Sequence, residues 1–376
     1  MTALESIIIY RDLILPPSET FIRNQAGTLR KFTPYFIGSR RVPGLELPNN
    51  QVFLLNNGTA LGLIREAMYK LFGFAPYLEK KINEINPRLV HVHMGKDATL
   101  YLPLHKNKRI PLIVTFHGTD AYTSDEWKRK QKRITFKIYL RRRARLIHTA
   151  DLFIAVSNSV KQGLLAQGYP EGKILVHYIG IDLDQFKPDQ TIQREPVVLF
   201  VSRLEEFKGC QYLIEAMAEI QKLRPDIRLV VIGDGPYRQT LEKQTQISLK
   251  NIEFLGTQPH DVVKEWMNKA TVLSVPSLWE GLPTFVQEAM AMGLPMALFD
   301  VAPVREALGE DLADCLAKPK NSHELAEKIM RLFDNNDLWQ RLSVIGRKRA
   351  LELFDLKKQT KILEDTYKEQ IKKHKK

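Results

Sequence analysis

Short apolar runs alternate along the chain with longer stretches in which apolar residues recur every three or four positions. The short runs predict strands at 6–10, 51–55, 89–93, 112–116, 152–156, 197–201, 228–232, 252–255, 271–275 and 295–298. The periodic stretches predict helices at 18–31, 209–223, 236–245, 261–268 and 283–292, and helices again from 321 onwards. Because the strand runs hardly alternate with polar residues, we expect parallel sheets that are covered by helices on both faces.

Residues 180–195 interrupt this succession, since they include Pro188 and several polar residues without a convincing period. We place a linker there, with a first domain at 1–187 and a second at 188–354. Two Rossmann-like β/α/β domains facing a central cleft follow from this α/β layout. Ligand-binding residues are then expected after the carboxyl ends of strands.

The composition is that of a soluble globular protein, with 44% hydrophobic and 26% charged residues in 376. No apolar run approaches the roughly 18–20 residues of a membrane-spanning helix, and the N-terminus lacks a signal-peptide pattern. Cys210 and Cys315 have no metal-like spacing, and two cysteines are too few for a disulfide scaffold. We therefore expect a cytoplasmic protein whose cysteines are small buried residues.

The net charge of +13 favours an acidic partner, either nucleic acid, an anionic membrane or a phosphorylated substrate. The charge is concentrated at 125–145, which holds ten basic residues and two acidic ones. Wound as one helix, 125–147 has an apolar stripe on each of two opposite sides, Trp127, Ile134 and Ile138 against Phe136, Leu140 and Ile147. We expect one stripe to pack on the core and the other to contact an anionic membrane surface; the alternative is a solvated helix with one buried stripe.

The segment after the predicted strand 271–275 carries two glutamates eight residues apart, Glu280 and Glu288. Pro283 suits the first position of the following helix, and Leu282 offers no capping side chain. Open amides at this helix start, beginning with Thr284, attract an anion such as a diphosphate. Glu288 is placed to hold two ribose hydroxyls and Glu280 to hold sugar hydroxyls. The alternative is a solvated loop glutamate and a helix glutamate in a salt bridge.

Two cations, Arg203 and Lys208, follow the predicted strand 197–201. Positioned cations stabilise the negative charge that a departing diphosphate gains in the transition state. The alternative is a pair of solvated surface cations. Gly233-Asp234-Gly235-Pro236 is better read as a tight turn than as a dinucleotide site, because a third glycine is missing. By position this turn and Gly256 should border a nucleotide pocket.

Four motifs together resemble one known family. They are Glu280-Gly281 followed by Glu288-Ala289-Met290-Ala291-Met292-Gly293-Leu294-Pro295, Ser202-Arg203-Leu204 with Lys208-Gly209, Phe116-His117-Gly118-Thr119-Asp120, and Gly180-Ile181-Asp182 with Phe186-Lys187-Pro188. In this order they resemble the retaining glycosyltransferases of family four, over nearly the whole chain. Within that family the chain is most similar to the enzymes of exopolysaccharide, capsule and colanic-acid assembly.

The resemblance implies the GT-B fold, with the helix at 355–376 crossing back to the first domain. It implies a donor site formed by Arg203, Lys208, Gly256, Glu280, Gly281, Leu282, Pro283, Thr284 and Glu288. It implies catalytic roles for His117, Arg203, Lys208 and Glu280, and an acceptor side with Ser18, Glu19 and Asp120. His117 would hydrogen bond near the anomeric centre. The Pro16–Phe21 run departs from the glycine-rich turn of many relatives, which leaves the donor contacts of this loop open.

We expect no metal and no cofactor. Asp182-Leu183-Asp184 has the spacing of metal-binding aspartates in the other major transferase fold. It belongs instead to the last of the four motifs, the interdomain motif that begins at Gly180 and ends the first domain in the resembling family. His91 and His93 share one strand face and would suit a metal, yet no third ligand is evident nearby, so a structural or cleft-lining role is preferred.

The sequence thus predicts a retaining, metal-independent hexosyltransferase that takes a nucleotide sugar as donor. The expected acceptor is a lipid-linked saccharide, used at the cytoplasmic face of the membrane in bacterial cell-surface polysaccharide assembly, with no nucleic acid partner. One alternative is a sugar-nucleotide epimerase of the same fold. Another is a non-catalytic protein that binds saccharide or nucleic acid.

Overall fold

A computed structural model describes residues 4–16, 19–106 and 109–374, without the side chains of Thr119 and Ile247. The chain divides into two compact units, Met1–Gly180 with Leu356–Lys376, and Ile181–Asp355. The first boundary lies a few residues before the predicted one at 187/188, and the second lies one residue beyond 354/355. The interdomain motif therefore starts at the first boundary, where Gly180 meets Ile181.

The first unit is built on a parallel sheet. Its strands are β1 (Glu5–Tyr10), β2 (Leu13–Ile14), β3 (Phe32–Arg41), β4 (Val52–Asn56), β5 (Leu89–His93), β6 (Leu112–Phe116), β7 (Leu152–Ala155) and β8 (Ile174–Val176). Among the described residues their order is β2-β3-β1-β5-β6-β7-β8, with β4 also paired to β3, and every pair is parallel. Strands β5 and β6 are buried at every position, including the polar residues His91, His93 and Thr115.

Helices connect these parallel strands. They are α1 (Thr20–Thr28), α2 (Ala60–Phe72), α3 (Pro76–Ile85), α4 (Gly95–His105), α5 (Thr119–Tyr122), α6 (Asp125–Lys130), α7 (Ile134–Thr149) and α8 (Asn158–Ala166). Single 3₁₀ turns occur at Asn49–Gln51 and Glu171–Lys173. Within the described part of the chain, no helix is both long and apolar enough to cross a membrane.

The second unit repeats this plan. Its strands are β9 (Glu195–Val201), β10 (Arg228–Ile232), β11 (Ile252–Gly256), β12 (Ala270–Leu273), β13 (Leu298–Phe299) and β14 (Leu316–Ala317). Its helices are α9 (Cys210–Leu223), α10 (Arg238–Ser248), α11 (His260–Lys269), α12 (Thr284–Ala291), α13 (Ala302–Leu308), α14 (Ser322–Asp334) and α15 (Asn336–Leu353), with 3₁₀ turns at Glu206–Lys208 and Glu310–Cys315. The parallel sheet β11-β10-β9-β12 is joined to β13-β14 through a bridge between Leu273 and Met296. Both units are thus Rossmann-like, as predicted.

The last helix, α16 (Leu356–His374), belongs to the first unit. Leu363 and Tyr367 join the hydrophobic core beneath β1, β5 and β6. The carboxylate of Glu364 accepts the backbone N–H groups of Arg30 and Lys31 at 2.7 and 2.6 Å. This helix therefore completes the core of the first unit.

Strand β3 was not predicted. Its sequence contains Pro34, which cannot donate to a strand ladder, and Gly38, which weakens strand propensity. Both are nevertheless in the sheet, where Pro34 pairs with Ile7 of β1. Burial between β1 and its other neighbours outweighs the local signal.

The prediction of one continuous helix at 125–147 is wrong. Extended backbone at Gln131 and Arg133 separates α6 from α7. Trp127 and Phe136, which were expected on opposite sides, contact each other with ring centroids 5.5 Å apart. Lys128, one of the ten basic residues, is fully buried and donates to the Thr123 carbonyl at 2.6 Å.

Candidate active site

The loop after β9 carries the first two predicted donor residues. The N–H of Leu204 donates to the Asp234 carbonyl at 3.0 Å, which fixes this loop to the glycine turn after β10. Arg203 points to solvent and forms an ion pair with Glu205. The 3₁₀ turn Glu206–Lys208 follows and ends at Gly209, whose φ of +76° is left-handed. Arg203 is thus the exposed cation of this loop, whereas Lys208 is largely buried.

Lys208 is held by the loop that follows β12. Its Nζ lies 2.6 Å from Oε1 of Glu280, and the two side chains are only 16% and 10% exposed. The backbone N–H of Leu278 donates to the Phe207 carbonyl at 2.8 Å. The rings of Phe207 and Trp279 stack with centroids 4.1 Å apart. The two motifs are therefore locked together, and Lys208 and Glu280, predicted separately, form one ion pair.

Sequence reasoning did not identify the stacked pair Phe207 and Trp279. A signal was present, because each aromatic residue immediately precedes a predicted site residue. The stack positions both the cation and the carboxylate, so its role is to fix the geometry of the Lys208–Glu280 pair.

The start of α12 is an open helix terminus. Pro283 is the N-cap residue, with φ −76° and ψ 106°, and not the first helical residue as predicted, because this ψ is extended. No side chain caps the helix. The N–H of Val286 donates to the Pro283 carbonyl, and in the described part of the chain the N–H groups of Thr284 and Phe285 have no acceptor. This terminus can bind an anion.

Glu288 lies one turn into α12 and is half-buried. Its carboxylate has no hydrogen-bond or ion-pair partner among the described residues. Burial raises the pKa of this carboxyl to about 8, because the charged form is poorly solvated there. The salt bridge weighed as an alternative for Glu288 is therefore absent from the described residues, and the carboxyl group is available to a ligand.

The remaining predicted donor residues border the same loops. Gly256 ends β11 with φ +68°, and its carbonyl accepts the N–H of Gly233 at 2.8 Å. Gly281, Leu282 and Pro283 are buried in the turn before α12. All of them lie at or after the carboxyl ends of strands of the second unit, where parallel α/β sheets bind ligands.

In the first unit, His117 follows β6 and belongs to a histidine cluster. Its Nε2 lies 3.0 Å from Nδ1 of His93, and the two rings stack with centroids 5.2 Å apart. Burial lowers the pKa of His117 to about 3, so the ring is neutral at ordinary pH. Its Nδ1 is buried and has no partner among the described residues. His117 therefore keeps one nitrogen unused, and its ring lines a small cavity together with Phe21 and His177.

His91 has a structural role. Its Nδ1 contacts the Tyr367 hydroxyl and its Nε2 the Thr115 hydroxyl, each at 2.6 Å. With both nitrogens occupied, the alternative in which His91 and His93 bind a metal has no geometric support. The described residues contain no cluster of three or more His, Cys, Asp or Glu side chains that could hold a metal ion. Asp182 accepts the backbone N–H groups of Asp184 and Gln185, so that segment is a turn.

The predicted acceptor-side residues are engaged in the fold. Asp120 is buried and accepts the N–H of Lys96 at the start of α4 at 3.1 Å. Glu19 is buried in an ion pair with Arg11, which also pairs with Asp97. Ser18 lies outside the described residues. Arg11 was missed by sequence reasoning, since nothing in its local sequence marks it as buried.

Comparison with known proteins identifies the family. The model of glycosyltransferase family 4 matches residues 21–185, and the model of glycosyl transferases group 1 matches residues 183–349. The chain belongs to glycosyltransferase family four. The resemblance inferred from the four motifs is thereby confirmed.

Relatives of this family-four chain are distant in sequence. An alpha-D-kanosaminyltransferase of Streptomyces kanamyceticus is 25% identical over 69% of the chain and 71% of its own length. The amylovoran biosynthesis glycosyltransferase AmsK of Erwinia amylovora is 26% identical over 69% of the chain, but the alignment spans only 60% of AmsK, less than two thirds. A solved structure of HepE from Anabaena in complex with UDP-glucose has a TM-score of 0.79 at 18% identity, covering 97% of the chain and 99% of HepE. This similarity confirms the GT-B fold class.

Proposed function

We propose that this chain transfers a sugar from a nucleoside diphosphate sugar to an acceptor hydroxyl, with retention of the anomeric configuration and without a metal ion. One observation carries the proposal: the Lys208 ammonium, held by Glu280, belongs to the same pair of interlocked loops that leads to the open N-terminus of α12. A fixed cation and unpaired helix amides are the groups that bind a diphosphate and stabilise it as it leaves.

The transfer step needs no protein nucleophile. The bond between the anomeric carbon and the diphosphate oxygen breaks, and the acceptor oxygen forms a bond to the same face of that carbon. The acceptor proton passes to the departing diphosphate oxygen. The contribution of Lys208 and Arg203 is to stabilise the charge on that diphosphate, which a metal ion does in other transferases.

The carboxyl groups divide the remaining tasks. Glu288 has no protein partner in the described part of the chain, and we assign it to the two ribose hydroxyls of the nucleotide. One carboxylate oxygen of Glu280 accepts a hydrogen bond from Lys208 and orients it. We assign the other oxygen to accept hydrogen bonds from hydroxyls of the transferred sugar. We assign His117 to hydrogen bond with the reacting sugar and the acceptor through its unused Nδ1.

Relatives guide the choice of substrates. The complex of HepE with UDP-glucose supports a uridine diphosphate sugar as the first donor to test. AmsK is named for amylovoran biosynthesis, and we propose by analogy a role for this chain in cell-surface polysaccharide assembly. We propose a lipid-linked saccharide as acceptor, used at the cytoplasmic face of the membrane, because the net charge of +13 suits an anionic lipid surface.

A thermal-shift panel of UDP, GDP, ADP and their sugars tests the donor, followed by a transfer assay in EDTA with the best ligand and a membrane extract. The expected products are a nucleoside diphosphate and a glycoside with the donor's anomeric configuration. Arg203→Ala should weaken donor binding, whereas Arg224→Ala should not, although Arg224 forms a similar pair with a carboxylate two residues away, Asp226.

Two outcomes would overturn the proposal. An isomerised nucleotide sugar without transfer would identify an epimerase instead. No thermal shift with any nucleotide at millimolar concentration would favour a binding protein without this chemistry.

A further inference from the structure

Helix α2 exposes an apolar face. Large apolar side chains recur at helical spacing along it and continue one residue beyond its C-cap, at Leu61, Ile64, Met68, Leu71, Phe72 and Phe74. Their exposure ranges from 39% for Met68 to 71% for Phe72. A contiguous apolar face of this kind on a folded domain marks a surface that is covered in function.

The opposite face of α2 explains why the helix cannot turn this surface inward. Tyr69 is buried, and its hydroxyl hydrogen bonds to Tyr10 and to the Leu100 carbonyl of α4 at 2.9 and 2.8 Å. Glu66 is buried and pairs with Lys70 at 2.6 Å. The only acidic residue of α2 is therefore turned inward and neutralised, so the outward face carries no carboxylate of its own.

A basic surface adjoins this helix. Helix α7 packs on α4, and Arg142 of α7 donates to the Thr99 carbonyl of α4 at 3.2 Å. Arg142 and Tyr69 of α2 thus donate to neighbouring carbonyls of α4, those of Thr99 and Leu100. The exposed cations Arg141 and Arg145 lie within one helical turn of Arg142 on α7.

The end of α4 adds to this positive rim. The space beside Gly73, which ends α2, is filled by Pro103 of α4. The exposed cations Lys106 and Arg109 come soon after that proline. Cations of α7 and of the end of α4 therefore lie next to the α4 residues that contact α2.

The positive charges near α2 favour one kind of binding partner for its apolar face over another. A second copy of the chain docking on the same face would oppose one positive rim to another, which is unfavourable. An anionic bilayer offers hydrocarbon for the apolar side chains and phosphate groups for the cations, and interfacial helices of this composition bind such surfaces. We propose that α2 and Phe74 lie in the interface of an anionic membrane, with the cations of α7 and the end of α4 on its headgroups.

This inference rests on the proposed membrane acceptor for its choice of partner, and it places the apolar contact on α2 rather than on 125–147. Trp127 and Ile134, 41% and 43% exposed, are the apolar residues that the basic segment still offers. The surface would hold the enzyme where a lipid-linked acceptor is found.

Vesicle co-sedimentation tests the inference, with phosphatidylcholine vesicles compared with vesicles that also contain phosphatidylglycerol. Leu71→Ser/Phe72→Ser should weaken binding to anionic vesicles about tenfold or more. Leu223→Ser/Val344→Ser, which alters two similarly exposed apolar residues of the second unit, should leave this binding unchanged. Arg141→Gln/Arg145→Gln should remove the preference for the anionic lipid and the sensitivity to salt.

Thermal unfolding establishes that each variant folds, and the thermal shift given by the nucleotide sugar without lipid reports the donor site independently. Wild-type binding that persists in Leu71→Ser/Phe72→Ser would overturn the inference. A wild-type dimer that dissociates in this variant would overturn it too, because the face would then bind a second copy. Loss of the nucleotide shift alone would contradict the proposed function and leave the docking surface intact.

Discussion

The ion pair between Lys208 and Glu280 allows the stability and the function of the site to be separated. Its side chains are 16% and 10% exposed, so removing one charge leaves the other largely buried. A fully buried unpaired charge costs about 3–5 kcal/mol, and partial exposure reduces this. We expect Lys208→Met or Glu280→Gln to lower the free energy of unfolding by about 1–3 kcal/mol.

The double variant Lys208→Met/Glu280→Gln should recover most of that loss, to within about 1 kcal/mol of wild type, because no charge is left unpaired. The Lys208 ammonium lies 5.3 and 5.9 Å from the ring centroids of Phe207 and Phe285, and the methionine sulfur can contact the same rings. Donor affinity should not recover, since the cation that meets the diphosphate is still missing. Stability is measured by urea unfolding and affinity by calorimetric titration of the nucleotide sugar.

An exposed pair provides the control. Lys269 and Glu265 form an ion pair at 2.5 Å on α11, with side chains 31% and 54% exposed. The corresponding variants of this pair should change stability by no more than about 0.5 kcal/mol and leave donor affinity unchanged. Recovery of both stability and affinity in the Lys208→Met/Glu280→Gln variant would refute the reasoning, because the pair would then be purely structural.

Three further predictions concern single residues. Ribose hydroxyls bind better to the charged carboxylate of Glu288, and burial raises the pKa of this carboxyl in the free protein to about 8. Donor affinity measured by calorimetry should therefore rise with pH up to about 8 and level off above it. The Glu288→Gln variant should show no such rise. A polar side chain at position 93 orients the ring of His117, so His93→Phe should lower kcat about tenfold or more with donor KM unchanged. His93→Asn should recover part of the lost kcat. Equal kcat values in the two variants would contradict this. Gly209→Ala should destabilise the protein by about 2 kcal/mol more than Gly168→Ala in urea, since both have a positive φ but only Gly209 faces a backbone carbonyl.

The fold was predictable where burial and sequence agree. Strands β5, β6 and β10 coincide with the predicted runs, because they are central and rich in valine, isoleucine and leucine. Strand β3 contradicts its own local propensity at Pro34, and only the neighbouring strands place it in the sheet. Charge and periodicity predict one helix where the structure has α6 and α7, since they do not reveal the extended backbone at Gln131.

The candidate site was predictable as a set of motifs and not as a set of contacts. Arg203, Lys208, Glu280 and Glu288 follow strands of one sheet, so their common edge follows from topology. The contact between Lys208 and Glu280 joins residues 72 positions apart and depends on how two loops pack, which no local pattern encodes. That Glu288 has no partner among the described residues likewise depends on packing and could not be predicted from the sequence.

The most direct test of the central claim is a crystal structure of the protein grown in EDTA with its preferred nucleotide sugar. We expect the diphosphate oxygens at about 2.7–3.1 Å from Nζ of Lys208 and from the N–H groups of Thr284 and Phe285. A diphosphate bound elsewhere, or bound there only when a divalent cation is supplied, would contradict the account.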